Sequence, residues 1–290
     1  MRLDKDPMLN ALTIDVEDYY QVSAFESVVR YETWDYYESR VEQNTYHILD
    51  LLDEYRTKAT FFVLGWIAER HTKLVRIIHE RGHEVASHGY SHQRVYTQSA
   101  HQFCEETRRS KGILEDTIGQ AVMGYRAASY SITKKSLWAL DVLTEEGFRY
   151  DSSIFPIRHD LYGISDSRRF SHLIQGRGQD TILECPLSTV RIAGINIPVA
   201  GGGYLRMFPH RFTQWAIRHL NEEEKQPAIV YFHPWELDPD QPRIRTHWKS
   251  RFRHYTQLSQ MEVKLRKLLS SFTFGPMVHT FRSMLVGHGI

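Results

Sequence analysis

Two histidines four residues apart, His88 and His92 in Ser87-His88-Gly89-Tyr90-Ser91-His92, form a pair that could hold a metal ion. On a helix or helical turn, positions i and i+4 share a face, so both imidazoles could reach one ion. An acidic cluster, Asp15-Val16-Glu17-Asp18, ends the first apolar run upstream. A carboxylate from that cluster would complete a two-His-one-carboxylate triad, whose open positions take water and a substrate carbonyl oxygen. Such a site implies hydrolysis rather than passive binding. With sixteen histidines in the chain some i,i+4 pairs arise by chance, and it is the acid at a predicted strand end that sets this pair apart.

The elements that must position these residues alternate. Residues 9–16 read as a short buried strand ending in acids, and residues 41–55 carry Ile48, Leu49, Leu51, Leu52 and Tyr55 at helical spacing. Residues 59–64 form a second strand, followed by a helix through Trp66, Ile67, Leu74, Ile77 and Ile78 that stops at Gly82. A brief third strand, 83–86, delivers the histidine pair at its C-terminal end. A helix over 99–118, a strand at 121–125, a helix over 133–146 and a strand at 148–152 continue the pattern. Repeated βα units of this length predict an α/β fold with a parallel sheet or barrel and a site at the strand C-termini. The histidines, the acids, Arg126 and Asp151 would all lie on that face.

From 181 to 199 the pattern changes to short β runs. Gly201-Gly202-Gly203 then opens a loop before a helix over 209–220; no Lys-Ser/Thr follows, so the glycines predict a tight turn or a backbone wall for substrate, not a phosphate cradle. Residues 228–232 form a last barrel strand and deliver His233. The expected organisation is a catalytic barrel over 1–236 and a C-terminal extension over 237–290 packed on it, with an amphipathic helix at 258–269.

A chain of 290 residues can bury a substantial core, and 41% hydrophobic with 24% charged residues is the balance of a globular protein. The formal charge of +1 gives no reason to expect nucleic acid or an anionic membrane as partner. Two cysteines, Cys104 and Cys185, imply no disulfide framework. No apolar run suits a secretory signal or a transmembrane segment, so the expected location is cytoplasmic. Oligomeric state is not legible.

Five segments, in order, resemble the polysaccharide deacetylases, the superfamily of chitin and peptidoglycan deacetylases (family four carbohydrate esterases). They are Thr13-Ile14-Asp15-Val16-Glu17-Asp18, Ser87 to His92, Tyr125-Arg126-Ala127-Ala128-Ser129-Tyr130, Asp151-Ser152-Ser153 and Val230-Tyr231-Phe232-His233-Pro234. The Asp-x-Glu opening and the tail from Arg253-His254-Tyr255 through Leu268 are similar to the subgroup found with bacterial exopolysaccharide export loci. The resemblance implies a deformed (β/α) barrel of about seven strands. It implies one divalent metal, zinc by default with cobalt, nickel or iron also suited, and removal of N-acetyl groups from amino sugars of a polysaccharide or its precursor in exopolysaccharide biosynthesis. Asp15 matches the general base, His88 and His92 the ligands, and His233 the general acid. Arg126 matches the residue that orients the base, Asp151 the acid that tunes the catalytic histidine, and Tyr231 a wall of the acetyl methyl pocket.

Two departures from the family pattern stand out. Val16 follows Asp15 where relatives carry a second aspartate, so the third ligand is Glu17 or Asp18; Glu17 is preferred because on an extended strand it points to the same side as Asp15. Ser129 and Tyr130 replace the Pro-Tyr that follows the arginine in many relatives, so either backbone amide could serve the oxyanion. His79 and His83 read as structural, and His47, His71, His101 and His219 as solvated helix residues. Trp235 and Trp248 suit either a sugar cleft or core packing, and Glu236 is a candidate to orient His233. Two other functions compete: hydrolysis of a small amide or ureide on the same barrel, and a catalytically weak sugar-binding relative.

Overall fold

The computed structural model describes residues 7–176, 180–199 and 201–286. Its elements in order are β1 (Leu9–Val16), α1 (Val41–Glu54), β2 (Thr60–Val63), α2 (Gly65–Arg70), α3 (Thr72–Glu80), β3 (Glu84–Ser87), α4 (Ala100–Ile118), β4 (Gly124–Tyr125), α5 (Trp138–Glu145) and β5 (Tyr150–Asp151). Then come β6 (His172–Gln175), β7 (Thr181–Glu184), β8 (Thr189–Ile192), β9 (Ile195–Pro198), α6 (Gly202–Met207), α7 (His210–Arg218), β10 (Ile229–Phe232), α8 (Trp248–Tyr255), α9 (Leu258–Leu269), β11 (Thr273–Gly275), α10 (Met277–Thr280) and α11 (Arg282–Val286).

A nine-stranded sheet runs in the order β10-β1-β2-β3-β4-β5-β7-β6, with β11 beside β1. The path from β10 to β7 is parallel throughout, and β6 pairs antiparallel at its edge. These seven parallel strands meet the expected count, and the sheet curls into an incomplete barrel. At the seam β10 is met not by β7 but by crossing chain: the Ile229 N–H donates to Ser188 Oγ at 2.8 Å, and Gly201 bridges to Tyr231. A Cβ on Gly201 would sit 1.8 Å from the Tyr231 ring. The glycine run therefore lets that aromatic close the seam.

Local chemistry explains the element ends. Ser99 and Gln102 form a reciprocal capping box that starts α4, and Gly119 in the left-handed region (φ 68°) ends it. The helix expected over 66–78 is broken at His71, whose φ of −120° and ψ of 46° separate α2 from α3. Residues beyond 236 do more than cover the barrel. β11 pairs with Leu9–Ala11 of β1, ahead of the Thr13–Val16 stretch that β2 takes. Met277, Phe281 and Leu285 then join Ala11, Phe62 and Tyr150 in the barrel interior and plug its N-terminal end. Among the described residues, no helix is long and apolar enough to cross a membrane.

Candidate metal centre and hydrolytic site

The end of β1 sorts three neighbouring acids, Asp15, Glu17 and Asp18, into different jobs. Asp15 is the last but one residue of the strand, and the Glu17 N–H folds back onto the Asp15 carbonyl at 3.0 Å, a three-residue turn. Asp15 and Glu17 thereby both face the site. Asp18 does not. Its Oδ2 accepts from the Arg40 and Val41 amides (2.8 and 3.1 Å) and from Ser39 Oγ, and its Oδ1 from the Tyr19 amide. Of the two acids considered for a metal, Asp18 is thus corrected to an anchor for the start of α1, satisfying N–H groups that a helix N-terminus leaves without partners.

The histidine pair is not helical either. β3 ends at Ser87, and the following loop holds Gly89 at φ 76° and His92 at φ 53°. Two left-handed residues turn the chain so that the rings converge, their centroids 5.4 Å apart. Ser110 Oγ donates to the Gly89 carbonyl at 2.9 Å and fastens the loop to α4.

Glu17, His88 and His92 each offer one ligand atom, all within 4.8 Å of one another. Glu17 Oε2 is buried and lies 2.8 Å from His92 Nε2, yet makes no aligned hydrogen bond. Convergence without alignment fits two ligands aimed at a common cation. His88 Nδ1–H donates to the Arg126 carbonyl at 2.9 Å, since a carbonyl can only accept, and this leaves the Nε2 lone pair for the site. Burial depresses the His88 imidazole to about 4, so it is neutral, as a ligand must be. Burial alone would raise the Glu17 carboxyl; the charges of His92 and His233 outweigh it and hold the group at about 2. The donor set fits a divalent ion.

Beside this centre, Arg126 is fully buried and fixes Asp15. Its NH1 donates to Asp15 Oδ1 at 2.6 Å and to Thr13 Oγ1 at 2.8 Å, while Nε and NH2 hold the Ser152 carbonyl and hydroxyl. The Tyr130 hydroxyl reaches Asp15 Oδ2 at 3.3 Å. Ser129 and Tyr130 both adopt left-handed conformations, φ 52° and 53°. The Tyr130 amide is occupied by the Ala127 carbonyl, and the Ser129 hydroxyl meets Ser23 Oγ at 2.6 Å. Tyr231 is buried edge-to-face against Tyr130, with ring centroids 5.0 Å apart.

His233 follows β10, its Nε2 3.5 Å from Glu17 Oε1 and 3.9 Å from Asp15 Oδ2. Its Nδ1 lies 3.0 Å from Glu236 Oε2, which also accepts the His233 amide. Burial would depress His233, but the carboxylates of Glu17, Glu236 and Asp15 together raise it to about 9. The carboxylate hydrogen-bonded to this histidine is Glu236, not Asp151. Asp151 is a correction: it accepts from Ser153 Oγ at 2.5 Å and shares a buried pair with Glu184, and burial pushes both carboxyls up.

Trp235 is neither a sugar platform nor plain core. Its Nε1–H donates to Glu17 Oε1 at 3.3 Å, and its ring stacks between His233 and His254 at 5.0 and 4.0 Å. The sequence marked His254 only as part of the Arg253-His254-Tyr255 tail, and it carried no signal for Arg206, whose Nε donates to Glu236 Oε1 at 2.6 Å. Trp248 is exposed on α8. His83 accepts the Ala59 amide as a structural residue, whereas His47, His71, His101 and His219 each meet a glutamate.

Comparison with known families accords with this arrangement. Residues 26–150 match the family described as polysaccharide deacetylase. Residues 26–150 carry a polysaccharide deacetylase domain. Residues 152–282 match a domain of unknown function (DUF3473). The deacetylase match contains His88, His92 and Arg126, while the second match contains Arg206, His233 and Glu236; the two meet within β5, so one barrel holds both. A peptidoglycan deacetylase of Helicobacter pylori is 31% identical over 37% of this chain and 36% of its own length. A chitooligosaccharide deacetylase of Rhizobium leguminosarum bv. trifolii is 28% identical over 52% of this chain and 62% of its own. The deacetylase-domain chain thus spans roughly a third to three-fifths of the length of these relatives. A solved Mycobacterium smegmatis structure named for the polysaccharide deacetylases superposes on 99% of the chain and 92% of its own, with TM-score 0.62 and 18% identity. An allantoinase superposes on 97% and 91%, with TM-score 0.58 and 15% identity. Both likenesses concern the fold, a (β/α) barrel.

Proposed function

We propose that this protein is a metal-dependent hydrolase that removes N-acetyl groups from amino sugars of a polysaccharide or its precursor. The observation that carries the reading is the convergence of Glu17, His88 and His92 beside a base fixed by Arg126 and a histidine fixed by Glu236. Glu17, His88 and His92 would hold a divalent cation, zinc by default, which would supply Lewis acidity and acidify water. Asp15, clamped through Oδ1, takes the proton of the attacking water at Oδ2. Of the two candidate oxyanion donors, the Tyr130 amide is already bonded to the Ala127 carbonyl, which leaves the Ser129 amide for that role. Tyr231 walls the methyl group. His233, held through Nδ1 by Glu236, gives its Nε2 proton to the departing nitrogen.

A cleft of about 670 Å³ opens beside His92, lined by Tyr31, Trp34, Tyr90, Arg30 and Arg109 among others, which is room for sugar rings. The motif spacing at Asp15 and the tail from Arg253 support a setting in exopolysaccharide assembly. The test is acetate release from N-acetylglucosamine oligomers, combined with elemental analysis. About one divalent ion per chain is expected, lost in His88→Ala but kept in Asp15→Asn, with both variants inactive. Acetate release indifferent to these substitutions, or turnover of a ureide alone, overturns the reading.

A further inference from the structure

Arg206 lies outside the reacting groups, yet its side chain is spent on holding one of them. It is 2% exposed and Glu236 is fully buried. Four hydrogen bonds leave the guanidinium: Nε to Glu236 Oε1 at 2.6 Å, NH1 to the carbonyls of His254 (2.9 Å) and Thr256 (2.6 Å), and NH2 to the carbonyl of Arg253 (2.8 Å). Those carbonyls belong to the C-terminal end of α8, where a helix leaves acceptors without partners and favours a cation. The fork geometry of arginine matches several acceptors at once; an ammonium could not span them.

The consequence travels through Glu236. With Oε1 tied to Arg206, the carboxylate cannot rotate, and Oε2 is presented to both the backbone N–H and Nδ1 of His233. The ring is also pinned in plane, because Trp235 stacks on it and is itself stacked on His254 from α8. We propose that Arg206 is a positioning residue that makes the end of α8 a buttress for the general acid, holding His233 with Nδ1–H on Glu236 and Nε2 toward the leaving group. This rests on the deacetylase reading, in which the Nε2 proton passes to nitrogen as the C–N bond breaks and its electron pair moves to nitrogen. Nδ1–H stays on Glu236 throughout.

An aryl ester separates this role from a general loss of structure, because phenolate leaves without protonation. The probes are an N-acetylglucosamine pentamer and 4-nitrophenyl acetate. Arg206→Gln is expected to lose about 10²-fold or more in kcat on the amide, with KM little changed, while ester hydrolysis stays within about threefold. Arg206→Lys, which keeps the charge but not the fork, should fall between. A deshielded, exchange-protected Nδ1 proton of His233, assigned with His233→Gln by NMR of the metal-free protein, is expected in the wild type and lost in Arg206→Gln. Should Arg206→Gln not fold, Arg206→Lys and Glu236→Gln carry the same comparison. Equal losses on both substrates, or an unmoved Nδ1 proton, overturn the proposal. A wild type that cleaves the ester but no amide sinks the deacetylase reading instead, and the Nδ1 proton still decides the role of Arg206.

Discussion

The two ends of the barrel both bury carboxylates, and they use them oppositely. At the C-terminal rim Glu17 Oε2 is left without an aligned hydrogen bond, and Asp15, Glu17, His88, His92 and His233 point at one space. At the N-terminal rim Glu84 is saturated: Oε1 takes the Tyr150 hydroxyl at 2.7 Å, and Oε2 takes Thr60 Oγ1 at 2.5 Å and the Val278 amide at 3.2 Å. Burial pushes Glu84 up and the histidine charges pull Glu17 down. One end thus stores charge for a ligand, and the other satisfies every acceptor to weld strand, plug and sheet together. Stability and chemistry are separated along the barrel axis.

The sharpest way to break this division is Glu17→Gln, which is expected to abolish bound metal and lower amide hydrolysis by about 10²–10⁴-fold without lowering the unfolding midpoint; a variant that keeps its metal would move the third ligand elsewhere. Next, Glu84→Ala should strand the Tyr150, Thr60 and Val278 donors and cost about 3 kcal/mol in urea unfolding, with kcat per folded molecule unchanged. A fall in kcat would join the two rims. The third concerns pH. His83, beside Glu84, is 3% exposed and accepts the Ala59 amide, and burial, with Lys58 nearby, lowers it from 6.5 to about 4. Its folded value is below its unfolded one, so the stability it lends is complete above about pH 6.5 and is lost as pH falls toward 4. Between pH 7 and pH 5 this is about 2 kcal/mol, and a denaturation series on His83→Gln should lose that slope. The smallest effect is Asp18→Asn, expected to cost about 1 kcal/mol through the start of α1 while metal content and activity persist. Loss of metal there would return Asp18 to the ligand set.

Much of the scaffold was legible. Period-two and period-3.6 patterns placed β1, α1, β2, β3, α4, β10 and α9 within a few residues, because each buries a regular face. β11 and β6 escaped, being a few residues long and defined by partners: β11 becomes a strand only by lying against Leu9–Ala11, more than two hundred and fifty residues away. The turns over 19–37, which line the cleft, have no period to read. In the site, the donor types at 15, 17, 88, 92, 126 and 233 were legible, but the helical reason given for the histidine pair was not the one the chain uses.

The amino-acid order by itself determined which groups exist and which strand end carries each, since alternation and apolar spacing are local properties. Only the tertiary structure decided among them. Glu17 rather than Asp18 faces the cluster because one three-residue turn redirects two side chains at once. Glu236 rather than Asp151 holds His233, and Arg206 holds Glu236, because hydrogen bonds between distant segments select partners that no local pattern encodes.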